Sequence, residues 1–228
     1  MPQRVRRLRE RIAAAAVRSG RSAESVTLLA AAKSQPAELI RAIAGEGVRD
    51  IGESYLGEAL GKLAALEGLP LTWHFIGRLQ ANKTRPVAEH FAWVHGVDRL
   101  RIAERLSAQR PFHAPALNVC IQVNLAAEAT KGGVSPAELP VLAGQLAALP
   151  RLKLRGLMCI PPEEADPAGQ RRWFAQLRRL QEALNAGGAG LDTLSMGMSA
   201  DFESAILEGA TVVRIGTALF GPRPAKLG

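Results

Sequence analysis

Apolar residues recur along the chain in two alternating rhythms. Short apolar, β-branched runs of strand length fall near 26–32, 48–51, 71–76, 91–95, 117–123, 152–158, 191–196 and 211–215. Stretches rich in Ala, Leu, Glu and Arg with helical patterning fill most of the gaps, near 36–45, 55–66, 79–89, 98–108, 136–148, 168–186 and 200–208. Ahead of the first strand, Val5, Leu8, Ile12 and Ala15 share one helical face and predict a further helix within residues 1–21. Ser135-Pro136, with Glu138 in the first turn, predicts a capped helix start, and Asp98 predicts a cap for the helix after it. Gly45, Gly47, Gly68, Gly187 and Gly188 mark helix ends.

Eight strands alternating with helices predict a parallel sheet with right-handed crossovers. A doubly wound open sheet competes, but eight repeats in about 200 residues suit a closed (β/α)₈ barrel at the compact end of its range. The expected architecture is therefore α/β, a single (β/α)₈ TIM barrel with an extra N-terminal helix. No linker rich in Pro, Gly or Ser separates a second unit, so residues 1–228 are expected to form one domain, ending after the eighth strand at Gly221-Pro222-Arg223-Pro224.

Composition narrows the class. Apolar residues are 47% and charged residues 22% of the 228, a globular balance. No run approaches the roughly 18 apolar residues of a membrane span. The arginine-rich start lacks the apolar segment of a secretory leader, so a cytoplasmic protein is expected. Cys120 and Cys159 lie in apolar runs and read as buried thiols in a reducing compartment, and no Cys/His spacing suggests a metal site. Of the net charge of +8, +6 lies in residues 1–21, where seven arginines face Glu10 alone. The favoured reading is the solvated side of an amphipathic helix. A transit peptide, or a nucleic-acid or membrane module using that basic face, is the alternative. No basic patch interleaved with aromatics supports nucleic-acid binding, and neither nucleic acid nor membrane is expected as a partner.

In such a barrel the active site lies at the C-terminal ends of the strands, and phosphate is often held after strands seven and eight. Lys33 closes the first apolar run, where burial would disfavour the ammonium and leave a nucleophilic amine able to form imines with carbonyls. A lysine that snorkels its head into water is the plainer reading of Lys33 alone. After strand seven comes Ser195-Met196-Gly197-Met198-Ser199-Ala200-Asp201, a small turn into a helix with Ser199 as its expected cap. After strand eight comes Arg214-Ile215-Gly216-Thr217, where glycine admits a ligand to the backbone and Thr217 adds a hydroxyl. A carbonyl-reactive lysine beside a phosphate cradle suggests pyridoxal 5′-phosphate, or a phosphorylated sugar in an aldolase. Arg214 discriminates, because a guanidinium cannot give up its proton and would keep a pyridine nitrogen unprotonated. On strand three, His74 is weighed as a base inside the barrel against a satisfied core histidine, and the latter is favoured. Trp73, Phe75 and Trp93 read as packing.

These segments carry a resemblance. Lys33-Ser34-Gln35-Pro36, Gly52-Glu53-Ser54-Tyr55, the block from Trp73 to Lys83, Val123-Asn124 with Glu128 and Lys131-Gly132-Gly133, Gly156-Leu157-Met158, Leu194 to Asp201, and Val213 to Gly221 together resemble the pyridoxal phosphate homeostasis family. The fold of that family is similar to the N-terminal barrel of alanine racemase. The resemblance implies that Lys33 holds the cofactor as a Schiff base, that Ser199, Gly216 and Thr217 hold its phosphate, that Arg214 faces its pyridine nitrogen, and that Met198 is a further cofactor-binding residue. It places Lys131 near the site, for secondary binding or transfer, with a solvated loop lysine as the plain alternative. His74 is a second residue of that secondary rank. Ser54 stands where the family usually has an asparagine that would bond the phenolic oxygen, Gly57 where it usually has glutamine, and Gln35 where it often has a lysine.

Racemisation needs a second base opposite the lysine, a tyrosine from an extra β domain, and Tyr55 is the chain's only tyrosine. The expectation is a monomer, with weak dimerisation as the alternative, that binds pyridoxal phosphate without significant turnover. It would buffer the cofactor or deliver it to pyridoxal-phosphate-dependent apoenzymes. The competing functions are a weak amino-acid racemase and a lysine aldolase.

Overall fold

In the computed structural model, which describes residues 1–128 and 131–221, the helix α1 (Pro2–Arg18) precedes eight alternating strand–helix units. The strands are β1 (Thr27–Ala31), β2 (Asp50–Glu53), β3 (Thr72–Phe75), β4 (Trp93–Val97), β5 (Leu117–Gln122), β6 (Leu152–Met158), β7 (Thr193–Ser195) and β8 (Val212–Ile215). The helices are α2 (Ala37–Gly45), α3 (Leu56–Ala65), α4 (Thr84–His90), α5 (Leu100–Gln109), α6 (Leu139–Ala147), α7 (Pro167–Ala186), α8 (Phe202–Leu207) and α9 (Thr217–Phe220). All eight strands pair in parallel and in sequence order, and β8 closes on β1 with Leu29 opposite Arg214. The barrel is therefore closed, not an open sheet. Pro222, Arg223 and Pro224 of the expected terminal turn lie outside the described residues.

Alternation along the strands splits the interior in two. Ile51, Val94, Val119, Leu157, Val213 and Ile215 belong to the apolar core, together with Ile40, Ile43, Ile102, Leu106, Phe174 and Phe202 from the helices. The other residues of the same strands include His74, His95, Ser195 and Arg214 beside Leu29, Cys120 and Met158, all buried, so a polar cluster runs through the barrel inside the oily shell. Closure is tight at β6–β7, where a Cβ on Gly156 would run into the Thr193 carbonyl.

The helix α1 buries Val5, Leu8, Ile12, Ala15 and Ala16, the face its periodicity predicts. Several of its arginines are structural. Arg4 donates to the Phe220 carbonyl, Arg11 pairs with Glu203 and lies over the Phe202 ring, and Arg21, just past the helix, donates to the Ile206 and Ala210 carbonyls. The basic segment thus straps α8 and α9 to the barrel. No helix among the described residues is long and apolar enough to cross a membrane.

Three local expectations need correction. Asp98 does not cap α5; its carboxylate pairs with Arg99 at 2.6 Å, and Arg99 is the capping position without a side-chain bond. The helix expected at 79–89 is a short 3₁₀ turn, Ala81–Lys83, followed by α4, and Pro86 sits in the first turn of that helix, where its missing N–H is harmless. Ser135 and Glu138 do exchange capping bonds, at 3.0 and 3.3 Å through the backbone N–H groups, but the regular helix begins only at Leu139.

Candidate functional site

A cavity of about 560 Å³ opens at the C-terminal ends of the strands. Lys33, Ser54, Lys131, Met198, Ser199, Arg214, Gly216 and Thr217 all line it, joined by Arg78, Gln122 and Glu163. Eight positions singled out from sequence therefore converge from the ends of five strands. His74 is not among the lining residues; it lies buried in the barrel beneath.

Lys33 is half-buried and lies in a turn, two residues past the end of β1. It is less enclosed than a strand-end position implied. The turn around it is held on purpose. Ser34 adopts the left-handed conformation, φ 60°, which a non-glycine residue rarely takes without support. Its N–H donates to Glu58 Oε2 at 2.9 Å. One residue before Lys33, the Ala32 carbonyl accepts from Lys62 Nζ at 2.9 Å. Lys62 also pairs at 2.7 Å with Glu53, which is completely buried at the end of β2. Burial pushes the Glu53 carboxyl above its ordinary range, against the pull of Lys62, and its second oxygen has no partner among the described residues. Lys62 carried no sequence signal beyond a helical lysine nine residues after a strand-end glutamate.

The anion cup joins two loops. Ser199 Oγ accepts from the Ala218 N–H at 3.1 Å, so this hydroxyl serves the first turn of α9, after β8. It does not cap α8, as expected from the linear order; Asp201 occupies that position and its carboxylate accepts from the Met198 N–H. Gly197, at φ 93°, packs against Phe202 and Ala205 where a Cβ would collide. A Cβ on Gly216 would make only ordinary contacts with Ala31, 3.5 Å to its carbonyl oxygen and 3.8 Å to its Cβ, so the backbone there is not crowded.

Arg214 is the electrostatic centre. Its side chain is buried, donating from one terminal nitrogen to the Ser195 carbonyl at 2.6 Å and Ser195 Oγ at 2.8 Å, and from the other to the Cys159 carbonyl at 2.8 Å. No carboxylate pairs with it among the described residues, and burial lowers its pKa. Behind Ser195 the bonding continues through His95 at 2.7 Å, His74 at 2.9 Å and Asp50 at 3.0 Å. His95, Ser195 and Asp50 escaped sequence reading, because each looks ordinary in its own strand. Cys120 and Cys159 are free and fully enclosed, and burial pushes both thiols up to about 12, so they are inert packing residues as expected.

Lys131 lines the same cavity, with Nζ 2.9 Å from Glu128 and 3.0 Å from the Pro161 carbonyl. Among the described residues the lining carries four cations, Lys33, Arg78, Lys131 and Arg214, against one acid, Glu163, a balance that favours an anion. Tyr55 lies outside this lining, in a neighbouring cavity that shares Ser54, Gly77 and Arg78. Glu53, the one acid at the end of β2, turns toward Lys62 rather than the cavity, so no second acid from β2 stands beside Lys33.

Residues 5–224 match the model of the alanine racemase N-terminal domain family. A pyridoxal phosphate homeostasis protein of Pseudomonas aeruginosa is 57% identical over 221 residues, 97% of this chain and 95% of that protein. A protein of the same name from Escherichia coli K12 is 49% identical, over 95% of this chain and 94% of that one. Among solved structures, PipY of Synechococcus elongatus with PLP bound superposes with a TM-score of 0.82 at 41% identity, over 93% of this chain and 99% of that one. The alanine racemase of Clostridium difficile 630 superposes with a TM-score of 0.71 at 15% identity, covering 89% of this chain and 54% of that one, which is a likeness of fold.

Proposed function

The chain belongs to the alanine racemase N-terminal domain family, among the pyridoxal phosphate homeostasis proteins, and from that premise we propose that it binds pyridoxal 5′-phosphate in the barrel mouth and holds it reversibly on Lys33 as a Schiff base. The protein buffers the cofactor or hands it to apoenzymes, as a single-domain monomer without significant turnover of amino acids. Its two enclosed thiols suit a reducing, cytoplasmic compartment.

Arg214 carries the reading. It offers donors only and pairs with no carboxylate among the described residues, so it complements an unprotonated ring nitrogen on a ligand. The donor set fits the rest of the cofactor: an amine at Lys33 for an aldehyde, and Ser199, Gly216 and Thr217 around the place a phosphate would take, with Met198 on the rim. When bound, the cofactor supplies an electrophilic aldehyde; the protein supplies the amine, the anion cup and the orientation. Ser54 lines the cavity with a hydroxyl where an asparagine amide would reach further. Lys131 adds a second amine to the same wall and is a natural stopping point for a leaving cofactor.

A slow racemase is the competing activity. It requires a second base, and the tyrosine that serves in that chemistry has no counterpart in this lining. A lysine aldolase is the other competitor: no acid from β2 lines the cavity, but Glu163, after β6, does, and an aldolase would be colourless.

The deciding experiment is spectroscopic. Purified protein with cofactor is expected to be yellow, to lose its visible band on borohydride reduction, and to carry the reduced cofactor's mass on the peptide containing Lys33. A Lys33→Ala variant that keeps the band would refute the assignment. Steady formation of D-alanine from L-alanine, followed by chiral chromatography, would replace binding by catalysis as the function.

A further inference from the structure

The structure assigns Asp50, His74, His95 and Ser195 a shared role as positioning residues for Arg214, forming a hydrogen-bond string of one fixed polarity that crosses the barrel. The role rests on the reading of Arg214 as the partner of the cofactor's ring nitrogen. The polarity itself does not, because the two ends of the string and the neutrality of its buried rings determine it. A guanidinium can only donate and an ionised carboxylate can only accept. Arg214 donates to Ser195 Oγ at 2.8 Å. The Ser195 hydroxyl then donates to His95 Nδ1 at 2.7 Å. His95 Nε2–H donates to His74 Nδ1 at 2.9 Å, and His74 Nε2–H donates to Asp50 Oδ1 at 3.0 Å. With both imidazoles neutral, as their burial favours, each ring has one donor and one acceptor to offer, and only this assignment gives every bond one proton. Both imidazoles are then Nε2–H tautomers; a second proton on His74 would make its Nδ1 a donor and reverse the bonds through His95 onto the second lone pair of Ser195 Oγ.

The surroundings hold this state. His95 is completely buried and His74 almost so, and burial lowers the pKa of both. Trp93 stacks on the His74 ring at 5.5 Å and 10°, fixing its plane. Only Asp50 reaches solvent, at a second cavity of about 520 Å³ beside the N-terminal ends of β1 and β2, where Arg9, Glu24 and Arg49 also face it. The string thus links the two ends of the barrel. It cannot conduct a net proton, because Arg214 has none to release. It orients instead: every acceptor end points toward the guanidinium, so Ser195 grips one terminal nitrogen through both its carbonyl and its hydroxyl, while the Cys159 carbonyl holds the other.

The test needs no catalysis. In cofactor-free protein labelled with ¹⁵N-histidine, long-range proton–nitrogen spectra should show two buried rings as neutral Nε2–H tautomers. Asp50→Asn replaces the acceptor-only carboxylate by an amide that can also donate, and should let the Nδ1–H form of His74 appear. With cofactor bound, Asp50→Asn and Ser195→Ala should both keep the borohydride-fixed mass on Lys33, shift the visible band, and shorten cofactor retention about threefold to tenfold, the effect of one lost hydrogen bond. Wild-type rings that are charged or Nδ1-protonated would overturn the string. So would unchanged band and retention in both folded variants. Absence of any Lys33 adduct in the wild type would overturn the cofactor reading, and with it the role given to the string, while the tautomers separately report whether the polarity exists.

Discussion

Ser199 Oγ accepts the Ala218 N–H at 3.1 Å, and this one bond ties the loop after β7 to the helix after β8. Nineteen residues of chain separate the two partners, yet they are the two lips of the anion cup. In the proposed complex the hydroxyl faces the phosphate, so Ser199→Ala should weaken pyridoxal phosphate binding by about threefold to tenfold, the measure of one hydrogen bond. Binding of pyridoxal, which has no phosphate, should change much less. Fluorescence titrations of both ligands against both proteins make the comparison, and equal losses would place Ser199 outside the cup.

The buried pair beneath Lys33 is a different kind of support. Lys62 neutralises Glu53 and holds the Ala32 carbonyl at the same time. Lys62→Met leaves a buried carboxylate without its partner, which should destabilise the protein by about 3–5 kcal/mol in urea unfolding. Adding Glu53→Gln removes the orphaned charge and should restore most of that loss. The Ala32 carbonyl stays unheld in the double variant, so cofactor retention on Lys33 should recover less than stability does.

The histidines make stability depend on pH with a defined sign. His74 and His95 both titrate below the ordinary 6.5 in the folded protein, because burial disfavours their charged forms. The unfolded chain therefore takes up protons first as pH falls, and their contribution, complete above 6.5, is lost progressively beneath it. Each proton tilts the stability curve by up to about 1.4 kcal/mol per pH unit. Urea unfolding between about pH 7.5 and about pH 5.5 should show this slope, and His95→Gln should flatten it by one proton's worth. A parallel curve for the variant would contradict the buried, neutral assignment.

What was legible in the sequence follows from the range of the physics involved. Hydrophobic period is a local property, so β1 to β8 and α1 could be placed from it, and a barrel's rule that function gathers at strand ends then brought Lys33, Ser199, Arg214, Gly216 and Thr217 together. Ser199 was assigned to the wrong helix because caps are read along the chain, whereas adjacent barrel loops are also neighbours in space. Asp98 was drawn to Arg99 by charge, which a capping pattern does not weigh. The string through Asp50, His74, His95 and Ser195 was invisible for a stronger reason: His95 and Ser195 stand 100 residues apart, and nothing in either strand alone marks them as partners.

Glycines in and beside the cavity wall offer a final contrast. At Gly77 an added Cβ would lie 2.8 Å from Ser54 Cα and press on the Ser54 carbonyl, so the backbones after β2 and β3 touch with no side chain between them. Because both residues line the cavity, Gly77→Ala must move Ser54 outward. Overpacking of this kind typically costs about 1–3 kcal/mol. Gly61, inside α3, has nothing within 4 Å of the same position. Alanine there relieves only the entropy of glycine in a helix and should stabilise by about 0.5–1 kcal/mol. Thermal unfolding should thus move in opposite directions for two identical substitutions. Cofactor retention should fall for Gly77→Ala and stay level for Gly61→Ala, since only the first shares its wall with Lys33.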